Sequence, residues 1–147
     1  MIQKTLILLK PDAVQKNLIG QIIGRFETKG LKVIGLKMMN LDDKLINEHY
    51  GFLADKPFFP KIVSYMTAGP VVALAIEGED SVATIRQLVG ATNPIEATPG
   101  SIRADYAKNI DNNIIHASDS PETAEIELNR FFNVSTELFD YTRTLAN

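Results

Sequence analysis

Val71-Val72-Ala73-Leu74-Ala75-Ile76 is an unbroken apolar run introduced by the Gly69-Pro70 turn. It is too short for a core helix, and without polar alternation it reads as a strand covered on both faces. A central, twice-covered strand is therefore predicted, around which the remaining elements must be arranged. With 147 residues, 45% hydrophobic and 22% charged, the chain has the ordinary make-up of one compact domain spanning 1–147 with a substantial core.

Further strands are predicted over Lys4–Leu9, Leu31–Met39 and Ile114–His116, with Gly35 breaking the second one's alternation and marking a bulge. Leu18, Ile19, Ile22, Ile23 and Phe26 recur at helical spacing, and Gly30 is placed to end that helix in a left-handed cap. Asp42-Asp43 opens a helix to about Tyr50, and Pro57-Phe58-Phe59-Pro60 precedes a short one over Lys61–Met66. Asp80-Ser81 caps a helix over Val82–Val89. Ser120 caps a final one, Pro121–Phe132, with Pro121 in its first turn. Helices interleaved with only four strands predict an α+β sandwich with helices on one face of a small sheet. The ferredoxin-like, four-stranded antiparallel form is its natural version. Gly90 to about Asn112 reads as a long irregular segment, and such segments in compact domains are usually functional.

Composition removes several classes of function. The chain has no cysteine, so disulfides, thiolate zinc sites and cysteine nucleophiles are out. No apolar stretch approaches the ~20 residues of a membrane span. Without an export signal, a cytoplasmic location is the expectation. Fifteen basic against 18 acidic residues give a net charge of −3, unlike the broad basic face of a nucleic-acid binder. G-x-x-x-x-G-K-[ST] and G-x-G-x-x-G are both missing, which removes P-loop and dinucleotide folds. The two histidines, His49 and His116, lack metal-ligand spacing, so no protein-held metal is expected.

His116 ends the fourth strand just ahead of the Ser120 cap. On position alone it is a hydrogen-bonded core or edge residue. A neutral imidazole held at one nitrogen is also a good nucleophile. Glu127, two helical turns beyond the cap, lies on the face that could hold it. His49, in a helix of mixed polarity, reads as a partly exposed surface residue. Arg86, Thr92, Arg103 and Asn113 are individually ordinary polar residues; together they could form a phosphate clamp, since arginine forks match phosphate oxygens. Lys10, directly after an apolar strand, is either a solubilising edge residue or part of that clamp. Phe58, between prolines, is either a core aromatic or a stacking platform for a base.

"NIIHASD" at 113–119 closely resembles the N-x-x-H-G-S-D signature of nucleoside diphosphate kinases. The resemblance continues in order through "LLKPDAVQ" at 8–15, "HYGFLADKPFFPKIVSYMTAGPVVALAIEG" at 49–78, "GATNPIEATPGSIRADYA" at 90–107 and "TAEIE" at 123–127. It covers nearly the whole chain. The resemblance implies a ferredoxin-like fold and transfer of a γ-phosphate from a nucleoside triphosphate to any nucleoside diphosphate. The implied route is ping-pong, through a phosphohistidine.

Carried over position by position, His116 matches the phosphorylated histidine and Glu127 the carboxylate fixing its ring. Ser118 and Tyr50 match the neighbouring hydroxyls. Lys10, Arg86, Thr92 and Arg103 match residues gripping the phosphates, with Lys10 and Asn113 reaching the sugar. Phe58 matches the base-stacking aromatic, and Ile110 the apolar position on the base's other side. Mg2+ is implied on the nucleotide phosphates, and a homo-oligomer, tetramer or hexamer, as the assembly. Ala117 and Ala104 stand where the family usually has glycine; a left-handed backbone at either would cost alanine ~1–2 kcal/mol. A family member acting as a non-catalytic nucleotide-binding or protein-interaction module, leaving His116 idle, is the competing reading.

Overall fold

The computed structural model describes residues 1–145. Strands β1 (Ile2–Leu9), β2 (Lys32–Met39), β3 (Val71–Glu79) and β4 (Ile115–Ala117) form one antiparallel sheet in the order β2-β3-β1-β4. Helices α1 (Pro11–Gln15) and α2 (Ile19–Thr28) follow β1, and α3 (Asp43–Tyr50) and α4 (Phe59–Met66) follow β2. Then come α5 (Ser81–Val89), α6 (Ile102–Tyr106), α7 (Pro121–Phe131) and α8 (Val134–Glu137). This is the ferredoxin-like α+β arrangement that the order of elements predicts.

The apolar run of β3 sits between two strands and two cores. Val72, Leu74 and Ile76 join Ile7 and Leu9 of β1 under Ile22 and Phe26 of α2, Ile85 and Val89 of α5 and Ile102 of α6. Val71, Ala73 and Ala75 join Leu6 and Leu8 on the opposite face, under Ile46 of α3, Met66 of α4 and Leu128 and Phe131 of α7. Helices therefore cover both faces of the sheet, not one as expected. The apolar stretches of the two inner strands, 6–9 of β1 and 71–76 of β3, carry no polar residue facing either way and leave no side there that water can wet. Each fully buried Leu or Ile contributes roughly 1.5–3 kcal/mol.

The local signals act largely as expected. Gly30 has φ +93°; its N–H reaches the Glu27 carbonyl and that of Leu31 the Phe26 carbonyl, the two bonds of a Schellman cap. The β2–β3 register shifts between Val33 and Gly35, where the bulge was expected. Asp42 and Ser120 accept the Leu45 and Thr123 amides as side-chain caps.

Other details differ, among them the short helices α1 and α8, which the sequence reading does not include. Asp80 precedes α5 in a left-handed conformation and makes no side-chain cap. Gln3 supplies it instead, its Oε1 accepting the Val82 amide while the Ser81 hydroxyl donates to the Gln3 carbonyl. The irregular segment contains α6, capped by Ser101, whose Oγ accepts the Ala104 amide. The last strand starts at Ile115, because Ile114 has φ +61° and a tight turn joins the Ile115 amide to the Asn113 carbonyl at 2.8 Å. That conformation is costly for a β-branched residue. It is held by complete burial of the Ile114 side chain and by the Lys10 amide, which donates to its carbonyl.

Candidate active site

Alternation along β4 decides where His116 points. Ile115 and Ala117 enter the core beneath α2 and α5, so His116 projects to the α3–α7 side of the sheet. There Glu127, buried on α7, meets it. The His116 Nε2 lies 3.0 and 3.1 Å from the two carboxylate oxygens, and the Ser118 hydroxyl donates to Oε1 at 2.6 Å. Burial alone would raise the Glu127 carboxyl, but the hydrogen bonds from His116 and Ser118 and the histidine charge outweigh it and hold it below the usual range. An ionised carboxylate accepts from Nε2–H, which leaves the Nδ1 lone pair of His116 free. Nδ1 makes no hydrogen bond among the described residues, and a quarter of the side chain remains exposed.

In front of His116 is a cavity of about 330 Å³ lined by Lys10, Arg86, Thr92, Arg103 and Asn113. Lys10 donates to Asn113 Oδ1 at 2.8 Å, and Asn113 Nδ2 to the Thr92 carbonyl at 3.2 Å, tying three of them together. Arg103 is buried, with its terminal nitrogens on the carbonyls of Gly90 and Ile115, and its Nε is buried without a partner. Arg86 reaches the Ala117 carbonyl. Burial and then the neighbouring Arg103 charge push Lys10 down to about 8; burial and then Arg86 push Arg103 down to about 10. Three cations facing one cavity repel one another, and an oxyanion in that space would relieve them.

A second cavity, about 380 Å³, shares Lys10 and Thr92 with the first and runs outward between Phe58 and Ile110. Both side chains are about half exposed, so Phe58 is not a core aromatic. Tyr50 lines its inner end; burial, then the Glu127 charge, raise its hydroxyl well above the ordinary range and keep it neutral. Apart from Ser118, which is buried against Glu127, the sequence-derived site residues line two joined cavities. Neither alanine substitution is strained, since Ala117 and Ala104 both lack positive φ. The Ala117 methyl packs into the core on the face opposite His116 and does not crowd it.

His49 corrects the sequence reading. It is buried, packed edge-to-face on His116 with ring centroids 4.6 Å apart, and touches Tyr50 and Phe131 in the same manner. The polarity of its own helix conceals this, because its cover comes from α7 and β4. Burial, then the His116 charge, push it down to about 3, so it is neutral. Asp119 and Thr123 on the rim of the first cavity were also not anticipated.

His49, His116 and Glu127 place potential ligand atoms within 4.8 Å of one another. Two imidazoles and one carboxylate do not suit Mg2+, which takes oxygen ligands in octahedral geometry. Arg130 Nη1 already donates to His49 Nδ1 at 2.8 Å. Asp119 is an exposed carboxylate at the rim of the first cavity. No helix among the described residues is long and apolar enough to cross a membrane.

The family model for nucleoside diphosphate kinase matches residues 3–136. The nucleoside diphosphate kinase of Methanobrevibacter smithii is 54% identical over 96% of this chain and 93% of its own. That of Desulforamulus reducens is 51% identical over 97% and 95%. Among solved structures, a halophilic nucleoside diphosphate kinase from Halobacterium salinarum in complex with CDP superposes with a TM-score of 0.93 at 45% identity, covering 98% of this chain and 95% of that one. The Aquifex aeolicus nucleoside diphosphate kinase gives 0.89 at 39% identity, covering 95% and 100%. A family match over most of the sequence and close likeness to whole relatives make this chain an enzyme of the nucleoside diphosphate kinase family.

Proposed function

We propose that this single-domain enzyme moves the γ-phosphate of a nucleoside triphosphate to a nucleoside diphosphate by a ping-pong route through phosphorylated His116. The observation that carries the reading is the free Nδ1 of His116 on the wall of a cavity lined by Lys10, Arg86 and Arg103. In the first half-reaction the Nδ1 lone pair attacks the γ-phosphorus. The bond to the β–γ bridging oxygen breaks, and its electron pair leaves with the nucleoside diphosphate. Glu127 accepts the Nε2 proton in a hydrogen bond and stabilises the positive charge growing on the ring. In the second half-reaction a terminal phosphate oxygen of the incoming diphosphate attacks the same phosphorus, and the N–P bond breaks back to Nδ1.

Lys10, Arg86, Thr92 and Arg103 hold the phosphates, all four lining the cavity. Ser118 steadies Glu127, and the neutral Tyr50 hydroxyl borders the reacting group. Lys10 and Asn113 serve the sugar. Phe58 and Ile110 sandwich the base without reading its edge, which gives broad base specificity. Mg2+ carried in with the nucleotide would supply charge neutralisation at the phosphates, and Asp119 on the cavity rim would be the protein group to hold it. The working form is a homo-oligomer, tetramer or hexamer, acting in the cytoplasm on nucleoside tri- and diphosphates. No nucleic-acid substrate is involved.

The test is incubation with γ-labelled ATP and magnesium, for the natural chain and for His116→Ala. Acid-labile, base-stable label on the natural chain only, discharged by any nucleoside diphosphate, is the expected result. Unlabelled, folded natural protein would leave a non-catalytic nucleotide binder in its place.

A further inference from the structure

Glu127 and Arg130 stand three residues apart on α7, the spacing at which helical carboxylates and guanidinium groups pair. They do not pair. The ion partners within reach of Glu127 among the described residues are His116 and, at 3.7 Å, His49. Arg130 Nη1 instead donates to Nδ1 of His49 at 2.8 Å. A guanidinium has no acceptor and keeps its charge, so this bond defines His49: Nδ1 carries the lone pair and the ring proton is on Nε2.

We propose that His49 is a positioning residue that insulates the catalytic carboxylate, its neutral ring engaging Arg130 so that Glu127 stays committed to His116. The inference rests on the reading that Glu127 orients His116 for phosphoryl transfer. A protonated His49 has two donors and no acceptor. It would release Arg130 and turn its own N–H toward Glu127, leaving two cations competing with His116 for one carboxylate.

All but one of the groups packed around His49 disfavour that state. From β4 the His116 ring lies edge-to-face on it, from α7 Phe131 covers it and Arg130 adds a positive charge, and from α3 Tyr50 closes the remaining side. Lys10 adds a further positive charge from beyond β1, and Glu127 is the one group nearby that favours protonation. Burial is the largest influence, and the net effect is a ring that stays neutral far below neutral pH.

The test is a double-mutant cycle with a direct reading of the tautomer. His49→Phe keeps an aromatic ring and removes the acceptor. It is expected to lower kcat/KM about 30-fold or more, as Arg130 turns to Glu127. Arg130→Leu alone stays within about threefold of the natural enzyme. In the double variant, where no cation needs insulating, kcat/KM recovers to within about fivefold. A packing role would make the double variant as poor as His49→Phe or worse, and that result, or full activity of His49→Phe, overturns the proposal. With two histidines per chain, nitrogen-15 histidine spectra of the natural protein, assigned with His116→Gln, read the ring directly. His49 must show an acceptor Nδ1 and protonated Nε2 down to pH 5; a protonated Nδ1 overturns the proposal even if His49→Phe fails to fold. That spectrum needs no turnover, so it is read independently of whether His116 carries the phosphate.

Discussion

Glu127 meets Nε2 of His116 with both carboxylate oxygens, at 3.0 and 3.1 Å, and through that contact selects which imidazole nitrogen faces the cavity. Replacing the carboxylate by its isosteric amide keeps an acceptor and removes the charge that stabilises a positive ring. Hydrogen bonds to charged groups are worth about 1.5–3 kcal/mol, so Glu127→Gln is expected to lower kcat by about 10- to 100-fold with little change in KM. Ser118→Ala removes one neutral donor to the same carboxylate, and a loss of about 3- to 10-fold is expected. Steady-state kinetics with ATP and a nucleoside diphosphate separate the two; equal losses would mean that Ser118 does more than steady Glu127.

On the proposed reading, the outer cavity supplies affinity without base choice. Phe58 and Ile110 both line it with apolar surface, and stacking is worth about 1–3 kcal/mol per base whatever its identity. Phe58→Ala is expected to raise KM for ADP, GDP, CDP and UDP by similar factors, between about 5- and 100-fold. KM measured for all four is the check, and a loss confined to one base would assign Phe58 a recognition role that stacking does not provide.

Much of this site is legible along the chain because it is built from short-range rules. A capped helix of regular period carries Glu127 to the face of His116, and the strand's alternation sends the ring to one side. His49 is hidden because its environment arrives from residues far along the chain: Arg130 and Phe131 on α7 bury a side chain that its own helix presents as unremarkable. Gln3 as the cap of α5 is concealed for the same reason. Helix α6 escapes notice because five residues after Pro94, Pro99 and Gly100 carry too little periodicity to register. The second helical layer is legible in the unbroken apolar run at 71–76, which one covered face would interrupt with polar residues; the count of four strands and interleaved helices does not assign the helices to faces.

His49 also links the fold to acidity. Its ring is neutral in the native state down to about pH 3, whereas an unfolded histidine takes up a proton near pH 6.5. Its folded value is thus depressed. Its contribution is fully present above pH 6.5 and is lost as pH falls toward the folded value, because the unfolded chain then binds the extra proton. One proton corresponds to a slope of at most about 1.4 kcal/mol per pH unit across that window. Urea unfolding of the natural protein should show stability falling between pH 6.5 and 4.5, with a shallower fall in His49→Phe. Parallel curves would place the acid sensitivity elsewhere.

Gly90 supports Arg103, one of the cations lining the first cavity. Its φ is +88°, and a Cβ there would collide with the Ser101 side chain that caps α6. The Gly90 carbonyl also accepts Arg103 Nη1 at 3.0 Å. Gly90→Ala is therefore expected to destabilise by more than the ~1–3 kcal/mol that this glycine-only backbone region (φ +88°, ψ 178°) costs alone, and to weaken nucleotide binding through Arg103. Denaturant unfolding and nucleotide titration together are the check; unchanged stability would show that the α6 cap gives way freely.

Lys10 should impose a basic limb on the pH profile. Burial and the Arg103 charge hold it at about 8 in the free protein, so above that pH the cavity loses one of its cations. The sign follows directly: rising pH neutralises the ammonium, and the capture of anionic phosphates weakens. Bound phosphate favours the charged form and raises the Lys10 value again. The limb is therefore expected in kcat/KM, which reports the free enzyme, and not in kcat, which reports the occupied one. Lys10→Arg, whose guanidinium keeps its charge throughout, should flatten the limb while lowering activity at all pH values, because the fork cannot repeat the 2.8 Å bond to Asn113 unaltered. A basic limb that persists in Lys10→Arg would assign it to another group and leave Lys10 charged across the working range.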